Sequence, residues 1–229
     1  MVELTDPKFF SGLWEYLTQF VTPERKNRFE EVVANRTRFV TVVLENIFQP
    51  HNASAVLRSA ECFGVQDVHI IENDNEYNIN PDIVLGSHQW LTLRQWNKRR
   101  NNTEQCLNFL KKKGYAIAAT TVSEDAIQLP DFFPDKKTAI VFGNEQNGIS
   151  ERVKKHADVF VTIPMVGFTE SFNISVSVAL FFYHFSLWLR SSECKWQLRQ
   201  KEKNELLLQW ITGQLHNADL IIEQFLKNR

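Results

Sequence analysis

The sequence has little of several things that mark particular protein classes. Only three of its 229 residues are cysteine (Cys62, Cys106 and Cys194), and no two form a CxxC pair. An odd, scattered set reads as reduced thiols, which excludes a disulfide framework. The six histidines show no metal-ligand spacing, so no structural metal is expected. No stretch approaches the roughly 18 consecutive apolar residues of a membrane-spanning helix. The start, MVELTDPKFF, lacks the basic-then-apolar form of a signal peptide. A cytoplasmic protein with no membrane partner is therefore expected. There is no internal repeat and no low-complexity tract. Neither sign of charge is in excess: 26 Lys and Arg stand against 27 Asp and Glu, a formal charge of −1. That excludes a uniformly basic nucleic-acid coat but leaves room for local patches.

What is present is ordinary globular material, 43% hydrophobic and 23% charged, in a chain long enough for one sizeable domain with appendages. Basic residues gather in three places. Arg94 to Arg100 (RQWNKRR) holds four in seven, Arg190 to Lys203 holds five against two acids, and Arg25, Lys26, Arg28, Arg36 and Arg38 form a third group. Each reads either as a solvated face or as a contact for a polyanion.

Asp6-Pro7 and Thr22-Pro23 are helix starts, a capping side chain followed by proline at the first helical position. They open an N-terminal helical arm over residues 1–36. FVTVVL at 39–44 is β-branched and continuous, as expected of a buried parallel strand. A helix follows from about Ala53 to Phe63, with Gly64 as its left-handed stop. Further strands are expected at 68–71, 91–96, 115–120, 138–142 and 159–163. Thr103 is the expected cap of a helix ending at Gly114, and Ile149 to His156 reads as a short helix. Residues 72–88 and the segment around Leu129-Pro130 read as loops. From about Ile174 the pattern is helical to the end. Strands alternating with helices mean an α/β fold, a parallel sheet covered on both faces. The sheet domain is expected over 37–184, with a C-terminal helical extension over 185–229.

Three strand–loop–helix junctions carry polar side chains, and ligands of open α/β sheets bind where strands end. In NASAVLR (52–58), Asn52 sits at the helix start, where it either caps or holds a ligand group. Arg58 shares a face with Ala55 and Cys62 and needs an anionic or carbonyl partner, structural or bound. GNEQNG (143–148) is no Walker loop, since no GK[ST] follows, and Glu145 would repel a phosphate. It reads as an ordinary turn, or as a cradle of inward N–H groups for a ligand bearing a cation or sugar hydroxyls. The third stretch, TIPMVGFTESFNISVSVAL from Thr162 to Leu180, offers Ser171 and Asn173, either of which could simply cap the helix that follows.

Together the segments NASAVLR, FGNEQNGI and IPMVGFTESFNISVSVAL resemble the three signature motifs of the SpoU branch of the SPOUT RNA ribose methyltransferases. The His51-Asn52 pair and the preceding VVLENIFQP resemble its TrmH subgroup most. The likeness covers residues 37 to 184; the arms match only in position and helical character. It implies a deep trefoil knot near the C-terminal part of the sheet, against the general absence of knots. It implies S-adenosylmethionine as methyl donor, lined by Thr120, Gly143, Glu145, Ile163 and Phe172. It implies a homodimer with its active sites at the interface, and the 2′-hydroxyl of guanosine 18 in the tRNA D-loop as acceptor, with no DNA partner. Ribosomal RNA or another tRNA position is the alternative target, and a catalytically silent RNA-binding protein a third reading. Arg58 matches the catalytic arginine; Asn52, Glu145, Ser171 and Asn173 match the other active-site positions. SFN stands where the family usually has SLN, and QPHN where KPHN is common. A guanidinium is a poor base, so we read Arg58 as the clamp on an RNA phosphate that eases ionisation of the 2′-hydroxyl. A tRNA is far larger than the domain, so Arg25, Arg28, Arg36, Arg199 and Lys201 on the arms are the expected grip.

Overall fold

The computed structural model describes residues 4–74 and 86–228. Most of the expected 72–88 loop therefore lies outside the described residues. Contacts divide the chain into two units: Thr37–Trp196, and Met1–Arg36 together with Gln197–Arg229. Helices α1 (Pro7–Leu17) and α2 (Pro23–Ala34) open the chain. Helices α3 (Pro50–Phe63), α4 (Asn102–Lys112), α5 (Glu151–His156) and α6 (Ile174–Ser191) interleave with strands. Helices α7 (Gln200–Thr212) and α8 (Ala218–Lys227) follow.

The larger unit is built on a seven-stranded sheet: β1 (Val40–Glu45), β2 (Asp67–Ile71), β3 (Thr92–Trp96), β4 (Ala116–Thr120), β5 (Ile127–Gln128), β6 (Thr138–Phe142) and β7 (Val159–Thr162). The order is β3-β2-β1-β6-β4-β7-β5, and every pairing is parallel. All C-terminal strand ends therefore share one rim. The pleat sends alternate residues to opposite layers. Val40, Val42 and Leu44 of β1, with Ile140 and Phe142 of β6, pack on α3 and α6. Val43, Ala139 and Val141 face the other way, toward the layer of Cys106, Leu107 and Leu110 from α4 and Val153 from α5. Cover on both faces is why β1 reads as an unbroken apolar run.

Local starts and stops follow backbone chemistry, with some departures from expectation. Pro50 at the first helical position starts α3 ahead of Asn52, and Gly64 at φ 77° ends it. Asn101, not Thr103, caps α4, its side chain accepting the Glu104 N–H. Thr103 is buried and donates instead to Glu45, at 2.6 Å. The two-residue β5 lies within the segment expected to be loop; it adds an edge to β7. The expected domain end at residue 184 falls inside α6, which runs unbroken to Ser191. Beyond it, Cys194 and Trp196 still pack on the sheet's core.

In the smaller unit, the N- and C-terminal arms, expected as separate pieces, pack as one. Phe9, Phe10, Leu13, Trp14 and Leu17 of α1 and Phe29 and Val33 of α2 are buried, as are Leu206, Leu207, Trp210 and Ile211 of α7. Phe29 lies 6.3 Å from Trp210, ring to ring. Among the described residues, no helix is long and apolar enough to cross a membrane.

Candidate active site

At the C-terminal rim, the ends of β4, β6 and β7 surround a cavity of about 650 Å³. That volume lies within the roughly 300–1,000 Å³ of small-molecule sites. Its lining combines apolar Phe142, Ile163 and Phe181 with polar Asn52, Thr120, Glu145 and Asn173. The three junctions singled out in the sequence all reach it. Asn173 Nδ2 donates to Asn52 Oδ1 at 3.1 Å, and Asn52 Nδ2 donates to Glu145 Oε1 at 2.9 Å. Residues 121 and 93 positions apart are thus joined in one hydrogen-bonded chain across three loops.

Each member is oriented by its own element. Asn52 lies in the first turn of α3, 1% exposed, with Gln49 Oε1 as a second acceptor at 3.3 Å. Asn173 is the N-cap of α6: its Oδ1 accepts the Ser175 N–H at 2.9 Å while its amide nitrogen serves Asn52. The capping and site readings of Asn173 are both met by one side chain. Ser171 lines the cavity and is not the cap. The second Glu145 oxygen accepts the Phe48 N–H at 3.2 Å. In the sequence Phe48 and Gln49 stand out only as part of VVLENIFQP and QPHN, with no role of their own.

The glycines of GNEQNG let the loop close on itself. Asn144 and Gly148 exchange two backbone hydrogen bonds of 2.9 Å, and Gly148 sits at φ 66°. A Cβ on Gly143 would overlap the Gly148 carbonyl and the Ile149 nitrogen, so only glycine fits. Asn144 Oδ1 takes the N–H groups of Gln146 and Asn147. Those N–H groups are therefore spent inside the loop and cannot cradle a ligand. What the loop presents is the Glu145 carboxylate. Behind it, buried Glu45 at the end of β1 accepts the hydroxyl and N–H of Ser150, which caps α5. Burial, with Glu45 adding to it, pushes the Cys106 thiol well above its usual range, so this cysteine stays protonated.

Thr120, Gly143, Glu145, Ile163 and Phe172 all line the cavity, as do Asn52, Ser171 and Asn173. Arg58 does not. It is exposed on α3, six residues past Asn52 and on a different side of the helix, with no hydrogen bond or ion pair among the described residues. Arg25 stacks over Phe29, Arg28 pairs with Glu31 at 2.9 Å, and Arg199 pairs with Glu202 at 3.2 Å. Lys201 is also engaged. Arg36 departs from expectation: it is 1% exposed, with its guanidinium 5.5 Å from the centre of the Trp210 ring. Cation–π contact and burial of its stem make it a packing residue that cannot reach a phosphate backbone. Among the described residues, no three His, Cys, Asp or Glu side chains come close enough to hold a metal.

The sequence matches the SpoU rRNA Methylase family over residues 39–183. The chain belongs to that family. It is 42% identical over 205 residues to the tRNA (guanosine(18)-2′-O)-methyltransferase of Borreliella burgdorferi, covering 90% of this chain and 92% of that one. The same-named protein of Thermus thermophilus is 35% identical over 162 residues, 71% of this chain and 81% of that one. Among solved structures, the A. aeolicus TrmH/SpoU tRNA modifying enzyme superposes with a TM-score of 0.74 at 27% identity, covering 85% of this chain and 98% of that chain. The sheet is thus that of a SpoU methylase. The Borreliella match, at 205 residues, also extends into the helical part of the chain that the family match leaves out.

Proposed function

We propose that this protein transfers a methyl group from S-adenosylmethionine to the 2′-hydroxyl of a guanosine in tRNA, at position 18 of the D-loop. The observation that carries the reading is the Asn173–Asn52–Glu145 chain lining the cavity. It is supported by relatives of that name at 42% and 35% identity. The residues present fit the donor. The cavity is large enough for a nucleoside joined to an amino acid, apolar walls suit a base, and the Glu145 carboxylate suits a cationic ligand. S-adenosylmethionine, when bound, supplies a methyl already activated by its sulfonium.

This chain's own residues do the rest. Asn52 fixes Glu145 and Asn173 relative to each other, so the polar wall is set before RNA arrives. Alignment of this kind is worth several kcal/mol when the reacting atoms meet in line. Arg58 holds an RNA phosphate with its fork of N–H groups, and this pair lowers the cost of ionising the nearby 2′-hydroxyl, whose proton passes to solvent water. Because Arg58 lies off the cavity of its own chain, we assign it to the cavity of a second copy. Val176, Leu180, Tyr183 and Leu187 of α6 form an exposed stripe at helical spacing, in the same layer as α3. An isologous dimer through this layer would cover the stripe and complete both sites. Arg25, Arg28, Arg199 and Lys201 are assigned to the body of the tRNA; Arg36 is left out. The knot and a cytoplasmic location, with no DNA or membrane partner, belong to the same reading.

Ribosomal RNA is the second reading, favoured by the description of the matching family. Incubation with methyl-labelled donor and bulk tRNA, followed by nuclease mapping of the resistant phosphodiester, decides. Label at a D-loop guanosine is expected. Label in ribosomal RNA only selects the second reading. Donor binding with no transfer to any RNA overturns both in favour of a catalytically silent protein.

A further inference from the structure

The basic run after β3 has no role in the site so far, yet it sits on the same rim. Every strand of the sheet is parallel, so the turn that leaves β3 emerges on the same rim as the turns that leave β1 and β6, two and three strands away. Lys98, Arg99 and Arg100 are exposed, and none has a hydrogen-bonding or ionic side-chain partner among the described residues. The arm cations differ, since Arg28 and Arg199 each have an acid partner. Strand spacing of about 4.8 Å puts β3 roughly 14 Å from β6 along the rim, within reach of a few nucleotides.

The turn is also held in place. Buried Asn102 accepts the Arg99 N–H at 3.0 Å and donates to the Glu72 carbonyl at 2.7 Å. Asn73 Oδ1 accepts the Asn102 N–H, and Asn46 Oδ1 accepts the Asn73 N–H at 2.7 Å. Asn46 itself stands at φ 53°, an uncommon conformation that asparagine tolerates, and its carbonyl accepts from Asn144 of the cavity loop at 2.7 Å. A continuous polar relay thus ties the backbone of this turn, which carries the three cations, to the cavity loop.

We propose that Lys98, Arg99 and Arg100 bind backbone phosphates of the RNA strand whose nucleotide enters the cavity, making this rim a second RNA contact. The inference rests on the functional reading above and extends it to a surface outside the helical unit. Three adjacent cations on an anchored turn suit successive backbone phosphates, and such contacts carry no base preference.

The test uses the full-length protein and an unmodified tRNA transcript. In one variant Lys98, Arg99 and Arg100 are all changed to glutamine. In a control of equal charge, Lys113, Lys136 and Lys137, which lie at the N-terminal ends of β4 and β6 on the opposite rim, are changed to glutamine. The first variant is expected to bind tRNA at least about tenfold more weakly at 0.15 M salt, with a slope of log K on log salt flatter by about 2. Its affinity for S-adenosylmethionine should match wild type, which also reports an intact fold. The control should stay within about twofold of wild type, since it removes no phosphate contact. Unchanged tRNA affinity and slope in the first variant overturn the inference, as does an equal loss in the control. A wild type that binds tRNA through this rim but methylates some other RNA, or none, overturns the functional reading alone.

Discussion

Polar groups at the sheet's rim and in the helical unit are treated in opposite ways. In the helical unit, charges find partners inside the unit: Lys26 with Glu15, Arg28 with Glu31, Arg199 with Glu202, and Arg36 against Trp210. At the rim, neutral amides and carboxylates are tied to one another across distant loops, while Lys98 to Arg100 there, and Arg58 midway along α3, are left without ionic partners among the described residues. A cation paired at home gains little by meeting a phosphate, because it must first give up its acid. An exposed cation with no partner meets one without that loss. The contrast separates residues that hold this protein together from those offered to something else.

The largest effect should come from cutting the rim's polar chain. Asn52→Ala leaves Glu145 and Asn173 without their shared partner, and kcat should fall by about 10²–10³, in the range of a lost preorganised contact. Near wild-type kcat would break the rim half of the comparison. Arg58→Lys sharpens it: a point charge cannot replace a fork on phosphate, so most activity should still be lost.

A buried group behind the rim gives a pH test of smaller size. His69 on β2 accepts from Trp96 Nε1 at 3.2 Å, and burial, then the nearby Arg94 charge, lowers its pKa to about 3. The unfolded chain binds this proton near the ordinary value of 6.5, so His69 contributes stability above pH 6.5 that is lost as pH falls toward 3. At pH 4.5 the loss should be about 2–3 kcal/mol, and His69→Gln, which keeps an acceptor, should remove it. Denaturant titrations at pH 7 and 4.5 measure the difference; an unchanged pH dependence in the variant would contradict the assignment.

In the helical unit, Arg36→Ala should lower stability by about 2 kcal/mol through lost packing. Any fall in its tRNA affinity should vanish when the folded fraction is taken into account. Smallest of all, Arg28→Gln or Arg199→Gln should weaken tRNA binding only about two- to threefold. A loss at either arm position greater than that of the rim triple variant would invert the comparison.

Much of this was legible in the sequence. The three junctions stand out because Asn, Glu and Ser sit where apolar strands end, and their residue types already limit what they can do. The parallel sheet follows from β-branched runs separated by helical periods. Other features were not legible because they depend on what lies opposite. Arg36 belongs to a basic cluster by composition, and only the facing Trp210 makes it a core residue. Thr103 has the chemistry of a cap, yet Asn101 takes that place and Glu45 claims the threonine. Strand β5, two residues long, is too short for any periodicity. The twin roles of Asn173, cap and site, need both of its side-chain atoms in view.

The central claim is that three loops of one chain form the methyl-transfer cavity and a second copy supplies Arg58. Mixing Arg58→Ala and Asn173→Ala proteins, by co-refolding, tests it most directly. Each variant alone should transfer almost no methyl to tRNA. The statistical mixture should recover about a quarter of wild-type activity, because half its dimers carry one intact site of two. No recovery on mixing, with both variants folded and dimeric, would contradict the shared site.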